Sequence, residues 1–153
     1  MGTITIDHDI KAAAQWIAEL HGLATTESVE KLIKLYSQVH FPDCPFEMKV
    51  TKVYSCQEEW SIVARTTITP GIVPYLSGFQ APLSSEEEQH LESNGCLFSV
   101  MLSSRTGRSS LLIGPARFVN HACIPNAKLT ISGGMIQVLA IREVSANEEI
   151  TIY

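Results

Sequence analysis

Cysteines are few in this sequence, and none of them forms a C-x-x-C pair. The four, Cys44, Cys56, Cys96 and Cys123, are scattered along the chain. Disulfide frameworks and zinc knuckles need cysteines at short and regular spacings, so neither is predicted to be complete within this sequence. Most of the four are expected to be buried as small apolar side chains.

Long apolar runs and targeting segments are also lacking. No stretch approaches the roughly 18 consecutive apolar residues that a membrane span requires. The first residues, MGTITIDHDIK, have the pattern of neither a secretion signal nor a transit peptide. We therefore expect a soluble, intracellular protein that does not associate with membranes.

Positive charge is outnumbered, because 11 Lys and Arg face 16 Asp and Glu, for a formal net charge of -5. Proteins that bind a phosphate backbone directly normally present a basic stripe, so we expect no direct DNA binding by this chain. An acidic surface suits a basic partner better. The sequence also lacks paired carboxylates at a spacing typical of general acid and base catalysis.

What is present suffices for one compact domain, with 153 residues of which 45% are hydrophobic. Apolar residues recur at helical spacing from Asp9 to Leu23 and again before the break at Phe41-Pro42. The second apolar stripe consists of Val29, Leu32, Ile33, Tyr36 and Val39. We therefore predict an N-terminal helical region, residues 1–45, that contains a pair of amphipathic helices.

From residue 46 onward the pattern changes to short β-type runs separated by Pro and Gly. A short helix is predicted from Ser84 or Ser85 to about Leu91, with Ser85 and Glu88 at capping-box spacing. The β-type runs are EMKVTKVYS, WSIVARTTI, GIVPYLSGF, CLFSVMLSS, SSLLIGP, and the pair KLTIS and MIQVLAI. The last two flank Gly133-Gly134, which predicts a hairpin with a primed turn. Helices followed by many short strands predict an α+β fold.

One loop, RFVNHACIPN at residues 117–126, concentrates chemically versatile side chains. His121 and Cys123 are potential metal ligands, but a metal site needs three or four. The same two residues could form a nucleophilic dyad, although residues two apart in a loop rarely face each other. In a structural role, Asn120 and Asn126 would hold a tight turn through hydrogen bonds to the backbone. The residues alone leave these alternatives open.

The same loop resembles part of a known family. RFVNHACIPN, followed after the predicted hairpin by VLAIREVSANEEIT, is similar to two signatures of SET-domain protein lysine methyltransferases. FSVMLSSR and LLIGPARFVNHACIPN resemble the branch that methylates lysine 20 of histone H4, the suppressor-of-variegation 4-20 type. FPDCPFEM resembles the fungal members of that branch. The resemblance covers about residues 41–153.

The resemblance implies a SET domain over residues 46–153, with a β-clip core of several small, mostly antiparallel sheets and a C-terminal pseudoknot. It also implies that S-adenosylmethionine is the cofactor. By this resemblance, Asn120 would bind the amino-acid end of this cofactor, and the backbone of His121 would contact its adenine. Arg117 and Phe118 would support the loop.

The resemblance implies roles for two further parts of the chain, where fewer residues match the family pattern. The strand WSIVAR would contribute backbone contacts to the cofactor from Ile62, Val63 and Ala64, although it lacks the glycines that many SET proteins carry there. Ser99 would lie at the channel for the substrate lysine, where its hydroxyl could hold an amine or a water; a buried strand serine is the structural alternative.

The sequence departs from the family pattern in further ways. A tyrosine that lines the lysine channel is expected immediately after Tyr153, the last residue. Cys123 matches a cysteine that commonly binds zinc with three cysteines of a post-SET segment, which is not in this sequence, so zinc is expected only in the complete protein. We interpret the chain as truncated before that segment. Asn147 stands where the family usually has glycine, and asparagine also tolerates positive φ.

The function implied by the resemblance is S-adenosylmethionine-dependent methylation of lysine 20 of histone H4, by in-line transfer to a deprotonated amine. The partner would be the histone H4 tail or the nucleosome, and the location would be the nucleus. The alternative is a non-catalytic SET-like module that binds a histone tail or another protein.

Overall fold

The computed structural model describes residues 15, 27–51, 59–94, 100–102 and 106–153. Its elements, in chain order, are α1 (Glu27–Gln38), β1 (Phe46–Thr51), β2 (Glu59–Ala64), β3 (Gly71–Pro82), α2 (Ser85–Ser93), β4 (Val100–Leu102), β5 (Ser109–Ile113), a 3-10 helix (Pro115–Phe118), β6 (Asn120–His121), β7 (Ala127–Ser132), β8 (Met135–Ala140) and β9 (Thr151–Ile152).

The strands form three sheets within these residues. β1 and β2 make an antiparallel pair, five strands are arranged in the order β4-β5-β3-β8-β7, and β6 pairs with β9. Every pairing is antiparallel apart from that of β6 and β9, which is parallel. The predicted α+β class with several small, mostly antiparallel sheets is therefore confirmed.

Helix α1 confirms the second predicted helix. Leu35 and Val39 are buried on the side that faces the sheet core, so the buried face is centred on Leu35, which the predicted stripe omitted. The ring of Tyr36 packs edge-on against Phe118, with ring centres 6.4 Å apart. The first predicted helix, residues 9–23, lies outside the described residues apart from the helical Gln15. No helix in the described part of the chain is long and apolar enough to span a bilayer.

The hairpin predicted around Gly133-Gly134 is confirmed as β7 and β8. Ser132 is directly opposite Met135, and both glycines have positive φ, 56° and 76°. A two-residue loop with positive φ at both positions is the primed turn whose twist matches that of the flanking strands. The β8 side chains alternate, with Ile136, Val138 and Ala140 buried.

Helix α2 is capped by Ser84, one of the two starting residues that the sequence predicted. Ser84, not Ser85, is the N-cap residue: its Oγ accepts the Glu87 N–H at 3.2 Å, and the Glu87 carboxylate accepts the Ser84 N–H at 2.7 Å. The predicted pair of Ser85 and Glu88 is therefore wrong by one position. Glu88 instead accepts a hydrogen bond from Ser109 Oγ at 2.6 Å, which ties α2 to β5.

The apolar core includes residues of the segment between β8 and β9. Val144 and Ile150 are fully buried and join the same cluster as residues of β2, β3 and β8. The other fully buried large side chains include Phe46, Ile62, Val73, Leu76 and Val138. Burial of Val144 and Ile150 holds the segment after β8 against the body of the domain, close to the loop at residues 117–126.

Candidate functional site

The loop at residues 117–126 is positioned by a close backbone contact just before it. Gly114 has φ 112°, and a Cβ atom at this position would lie 2.8 Å from the Ser77 carbonyl oxygen and 2.9 Å from Gly78 Cα. Glycine is therefore required where the chain leaves β5. The following 3-10 helix buries Pro115 and Ala116, so the loop starts from a fixed point against β3.

The loop then pairs, through β6, with β9 near the C-terminal end of the chain. In the parallel pair of β6 and β9, Asn120 is opposite Thr151 and His121 is opposite Ile152. The Ala122 N–H continues the pairing by donating to the Ile152 carbonyl at 2.8 Å. The two motifs that carry the family resemblance are thus adjacent in space.

The segment before β9 is also bonded to β2. Ile150 N–H donates to the Ile62 carbonyl at 2.8 Å, Ala64 N–H donates to the Glu148 carbonyl at 2.9 Å, and Asn147 N–H donates to the Ala64 carbonyl at 2.8 Å. The C-terminal segment therefore lies between β2 and the loop that carries β6, which is the arrangement predicted as a pseudoknot. Asn147 has φ 66°, as the comparison with the usual family glycine predicted.

The side chain of Asn120 links β6 to β2 and to the segment just before β9. Its Nδ2 donates to Glu149 Oε1 at 2.8 Å and to the Trp60 backbone carbonyl at 3.2 Å. Trp60 precedes the buried part of β2, and its own side chain is half exposed. Asn120 is consequently fixed to β2 and to the second glutamate of the EEIT motif at once.

Asn126 clamps the backbone of the same segment from the inside. Its residue is 1% exposed. Its Oδ1 accepts the Thr151 N–H at 2.9 Å, while its Nδ2 donates to the Glu149 carbonyl at 2.7 Å and to Glu148 Oε1 at 3.1 Å. The structural role that the sequence left open for this residue is therefore present, and its partners lie in a distant segment, not in the loop itself.

Glu148 completes the arrangement. Its carboxylate pairs with Arg142 Nη2 at 2.6 Å and accepts the Ser145 N–H at 2.9 Å. The Arg142 hydrogen bond, followed by that from Ser145, lowers the pKa of Glu148 to about 2. We call Asn120, Asn126, Glu148 and Glu149 the amide–carboxylate cluster.

The remaining predicted site residues of the loop are near this cluster but differ in exposure. His121 is exposed, and its ring packs edge-on against Tyr153 with ring centres 5.3 Å apart. Cys123 is exposed with a free thiol. No group of three or more His, Cys, Asp or Glu side chains forms a metal site among the described residues. The zinc role of Cys123 therefore stays a prediction that depends on cysteines outside this sequence.

The other predicted site residues have structural surroundings that bear on their roles. Phe118 is half-buried between Tyr36 and Arg117, whose guanidinium lies 5.4 Å from the Phe118 ring centre. Ile62 and Ala64 are fully buried, and their backbones bond to the C-terminal segment. Their contact with a cofactor stays a prediction. Ser99 lies outside the described residues.

Sequence reasoning missed Glu149 and Trp60 as partners of Asn120. The EEIT motif contained the signal for Glu149, because it was recognised as part of a signature without a role being assigned to its carboxylates. Nothing in the sequence pointed to the Trp60 carbonyl, because a backbone acceptor has no signature.

The sequence that forms this fold and this cluster matches a family model. The model of the SET domain matches residues 14–153, and the chain belongs to the SET domain family. Among curated proteins, it is 38% identical to histone-lysine N-methyltransferase set9 of Aspergillus terreus, over 94% of this chain. It is 36% identical to the SET9 enzyme of Phaeosphaeria nodorum over 95% of this chain and 39% identical to that of Gibberella zeae over 86%.

These relatives are much longer proteins. The chain covers 23%, 24% and 21% of their respective lengths. A solved structure of a candidate histone methyltransferase from Plasmodium falciparum is similar over 69% of this chain and 90% of its own, with a TM-score of 0.48 and 19% sequence identity.

Proposed function

We propose that this chain forms the methyl-transfer core of a histone-lysine methyltransferase that uses S-adenosylmethionine. The observation that carries the proposal is the parallel pairing of Asn120-His121 with Thr151-Ile152. It joins the two family motifs into one site, in a chain whose relatives are named histone-lysine N-methyltransferases.

The residues at this site fit the amino-acid end of such a cofactor. Asn120 has its amide nitrogen engaged with Trp60 and Glu149, so its carbonyl oxygen is the atom it can offer to an ammonium group. His121 is exposed next to it, and its backbone would contact the adenine of the cofactor. Phe118 and Arg117 would support the loop from behind, and Ile62, Val63 and Ala64 would form the wall on the β2 side.

The cofactor supplies the methyl group and a sulfonium cation. The chain must supply a dry channel in which the target lysine is neutral. A free lysine has a pKa of about 10.4, so deprotonating it at pH 7 costs roughly 4.6 kcal/mol. Enclosure in an apolar channel next to a fixed cation offsets this cost, and in-line alignment lowers the barrier further. Ser99, and a tyrosine following Tyr153, are the proposed channel residues.

The proposed substrate is lysine 20 of histone H4, on the tail or in the nucleosome, which assigns the protein to chromatin in the nucleus. The resemblance of FSVMLSSR and RFVNHACIPN to the branch with this specificity supports the choice. The excess of acidic residues favours a basic tail. Zinc would be bound through Cys123 only together with further cysteines, and no step of the reaction is assigned to it.

The test is methyl transfer from radiolabelled S-adenosylmethionine to nucleosomes. The protein carried past Tyr153 through the expected channel tyrosine and post-SET cysteines should label histone H4, and substitution of lysine 20 of H4 by arginine should abolish the label. Asn120→Ala should lower transfer by about a hundredfold, because the amine of the cofactor loses its acceptor and the Glu149 carboxylate loses one hydrogen bond. The matched control Asn94→Ala, an exposed asparagine at the end of α2, should leave transfer unchanged.

The outcomes separate two kinds of SET-domain protein. Labelling of another histone, or of another lysine, would refute the substrate but keep the activity. Cofactor binding without transfer to any histone would favour the alternative, a non-catalytic module that binds a tail or a protein partner. Absence of both binding and transfer would refute the proposed function.

A further inference from the structure

The side-chain amide of Asn120 is held by two acceptors. Its nitrogen lies 2.8 Å from Glu149 Oε1 and 3.2 Å from the Trp60 carbonyl oxygen. An amide nitrogen carries two hydrogens, and neither a carboxylate nor a backbone carbonyl can donate. Both donors of the amide are thus directed at the protein.

These partners also determine which way the amide faces. Rotation of the amide by half a turn would place its oxygen against a carboxylate oxygen and a carbonyl oxygen, with no hydrogen between them. Such oxygen contacts are repulsive, and the displaced nitrogen would lose both partners. The orientation with Oδ1 away from Glu149 and Trp60 is therefore strongly preferred.

Glu149 is itself fixed from the opposite side. Its backbone carbonyl accepts the Asn126 amide at 2.7 Å, and its neighbour Ile150 is fully buried. Its backbone also forms a bridge to Val63 of β2. Because the Glu149 backbone is held on both flanks, its side chain starts from a fixed position, from which the carboxylate reaches the Asn120 amide nitrogen at 2.8 Å.

We infer that Glu149 is a positioning residue that fixes the Asn120 amide so that only its carbonyl oxygen faces a ligand, which makes the site select an amino group over a carboxylate. This inference rests on the proposed function, since the amino group is that of the amino acid portion of the cofactor. The negative charge of Glu149 acts in the same direction, because it attracts an ammonium group and repels a carboxylate.

The test compares two ligands by isothermal titration calorimetry, on the same extended protein as the transfer assay. One is S-adenosylhomocysteine, and the other is its analogue in which hydrogen replaces the α-amino group. The wild-type protein should bind the first ligand about tenfold or more tightly, as expected for a hydrogen bond to a charged group. This ratio measures the orientation of Asn120 and is insensitive to a general loss of stability.

The variants separate orientation from charge. Glu149→Gln retains an acceptor for Asn120 and should keep the preference for the amino ligand within about threefold of the wild-type ratio. Glu149→Ala removes the closer of the two acceptors and leaves only the Trp60 carbonyl at 3.2 Å, so the amide is held less firmly and the preference should fall to about threefold or less. Glu149→Asp keeps the charge but shortens the reach, and should behave like Glu149→Ala; it serves as the second test if the alanine variant fails to fold. Glu143→Gln, an exposed glutamate on the same segment, is the matched control and should match the wild type.

Each outcome decides between two statements. If Glu149→Ala or Glu149→Asp weakens both ligands by the same factor, Glu149 is only a structural support and the inference is refuted. If the wild-type protein binds both ligands equally, the inference is refuted while cofactor binding stands. If it binds neither ligand, the proposed function is refuted as well.

Discussion

The β7–β8 hairpin and the amide–carboxylate cluster are neighbours that are stabilised in different ways. The hairpin is a continuous stretch of chain with six registered residue pairs and alternate burial of its β8 side chains. The cluster joins segments far apart in sequence through a few side chains, with Asn126 alone making three hydrogen bonds to residues 148–151. In the hairpin the stabilisation is spread over many contacts, whereas in the cluster it is concentrated in single polar groups.

The largest expected effect is in the apolar core that the hairpin shares with β3. Leu76 is fully buried on β3, so Leu76→Ala should lower the free energy of unfolding by about 2–5 kcal/mol through lost burial and a cavity. Leu102→Ala, at a leucine that is 70% exposed on β4, is the matched control and should change it by less than about 0.5 kcal/mol. Urea denaturation of both variants measures the difference. Equal losses would mean that burial does not govern stability in the sheet.

The next largest effect should come from a single amide in the cluster. Asn126→Ala leaves the Thr151 N–H and the Glu149 carbonyl without their partner in a buried position, which should cost about 2–4 kcal/mol. Asn94→Ala, an exposed asparagine that bonds the His90 carbonyl, should cost less than about 1 kcal/mol. The same denaturation experiment applies. If Asn126→Ala lowered the free energy of unfolding by less than about 1 kcal/mol, the pairing of β6 with β9 would be sufficient to hold residues 148–151 in place.

Acid should weaken the cluster before it weakens the hairpin. The pKa of Glu148 is lowered to about 2 in the folded protein, below its ordinary value of 4.5. Its stabilisation is thus fully present above about pH 5 and is lost as the pH falls toward 2. Because Arg142 is half exposed, we expect this loss to be about 1 kcal/mol.

The measurement is the free energy of unfolding at pH 7, 5 and 3 for the wild type and for Glu148→Gln. The difference between the two proteins should shrink as the pH falls. Glu143→Gln, an exposed neighbour, is the control and should show no such trend. A difference that stays constant from pH 7 to pH 3 would contradict the assigned interaction.

The smallest effects concern backbone conformation. Asn147 has φ 66°, so Asn147→Gly should be neutral or stabilise the fold by up to about 0.5 kcal/mol. In the hairpin turn, Gly134 has φ 76°, and Gly134→Ala should cost about 1 kcal/mol. Thermal unfolding compares the two. Destabilisation by Asn147→Gly would indicate that the asparagine side chain contributes more than its tolerance of this conformation.

Periodic features of the fold were predictable from the sequence, and long-range polar contacts were not. The alternation in KLTIS and MIQVLAI with Gly133-Gly134 between them predicted β7 and β8 almost to the residue. Helical spacing predicted α1, but it omitted the buried Leu35, whose Cδ1 atom lies beside Gly114, a contact with a distant segment that the stripe does not encode. The capping box was displaced to Ser84 and Glu87 because two adjacent serines satisfy the same pattern.

The site was predictable only as far as its motifs. Asn120 and His121 were identified by resemblance, and the structure adds what surrounds them. The contacts of Asn120 with Trp60 and Glu149 join residues 60 and 29 positions away, and no local pattern encodes such pairs. A sequence pattern indicates which face of a segment is buried. A long-range hydrogen bond depends on the position of a single atom in a distant segment, which the pattern does not encode.

The parallel pairing of β6 with β9 also has a consequence for folding. Parallel neighbours require a crossover between them, and here the whole hairpin lies in between. A nascent chain would contain the loop at residues 117–126 and even the finished hairpin before the partner strand had been synthesised. Since contacts between distant segments form late, the pairing of β6 with β9 should appear in the final kinetic phase of refolding. Refolding intermediates that already contain the native hairpin would then still lack the pairing of Asn120-His121 with Thr151-Ile152.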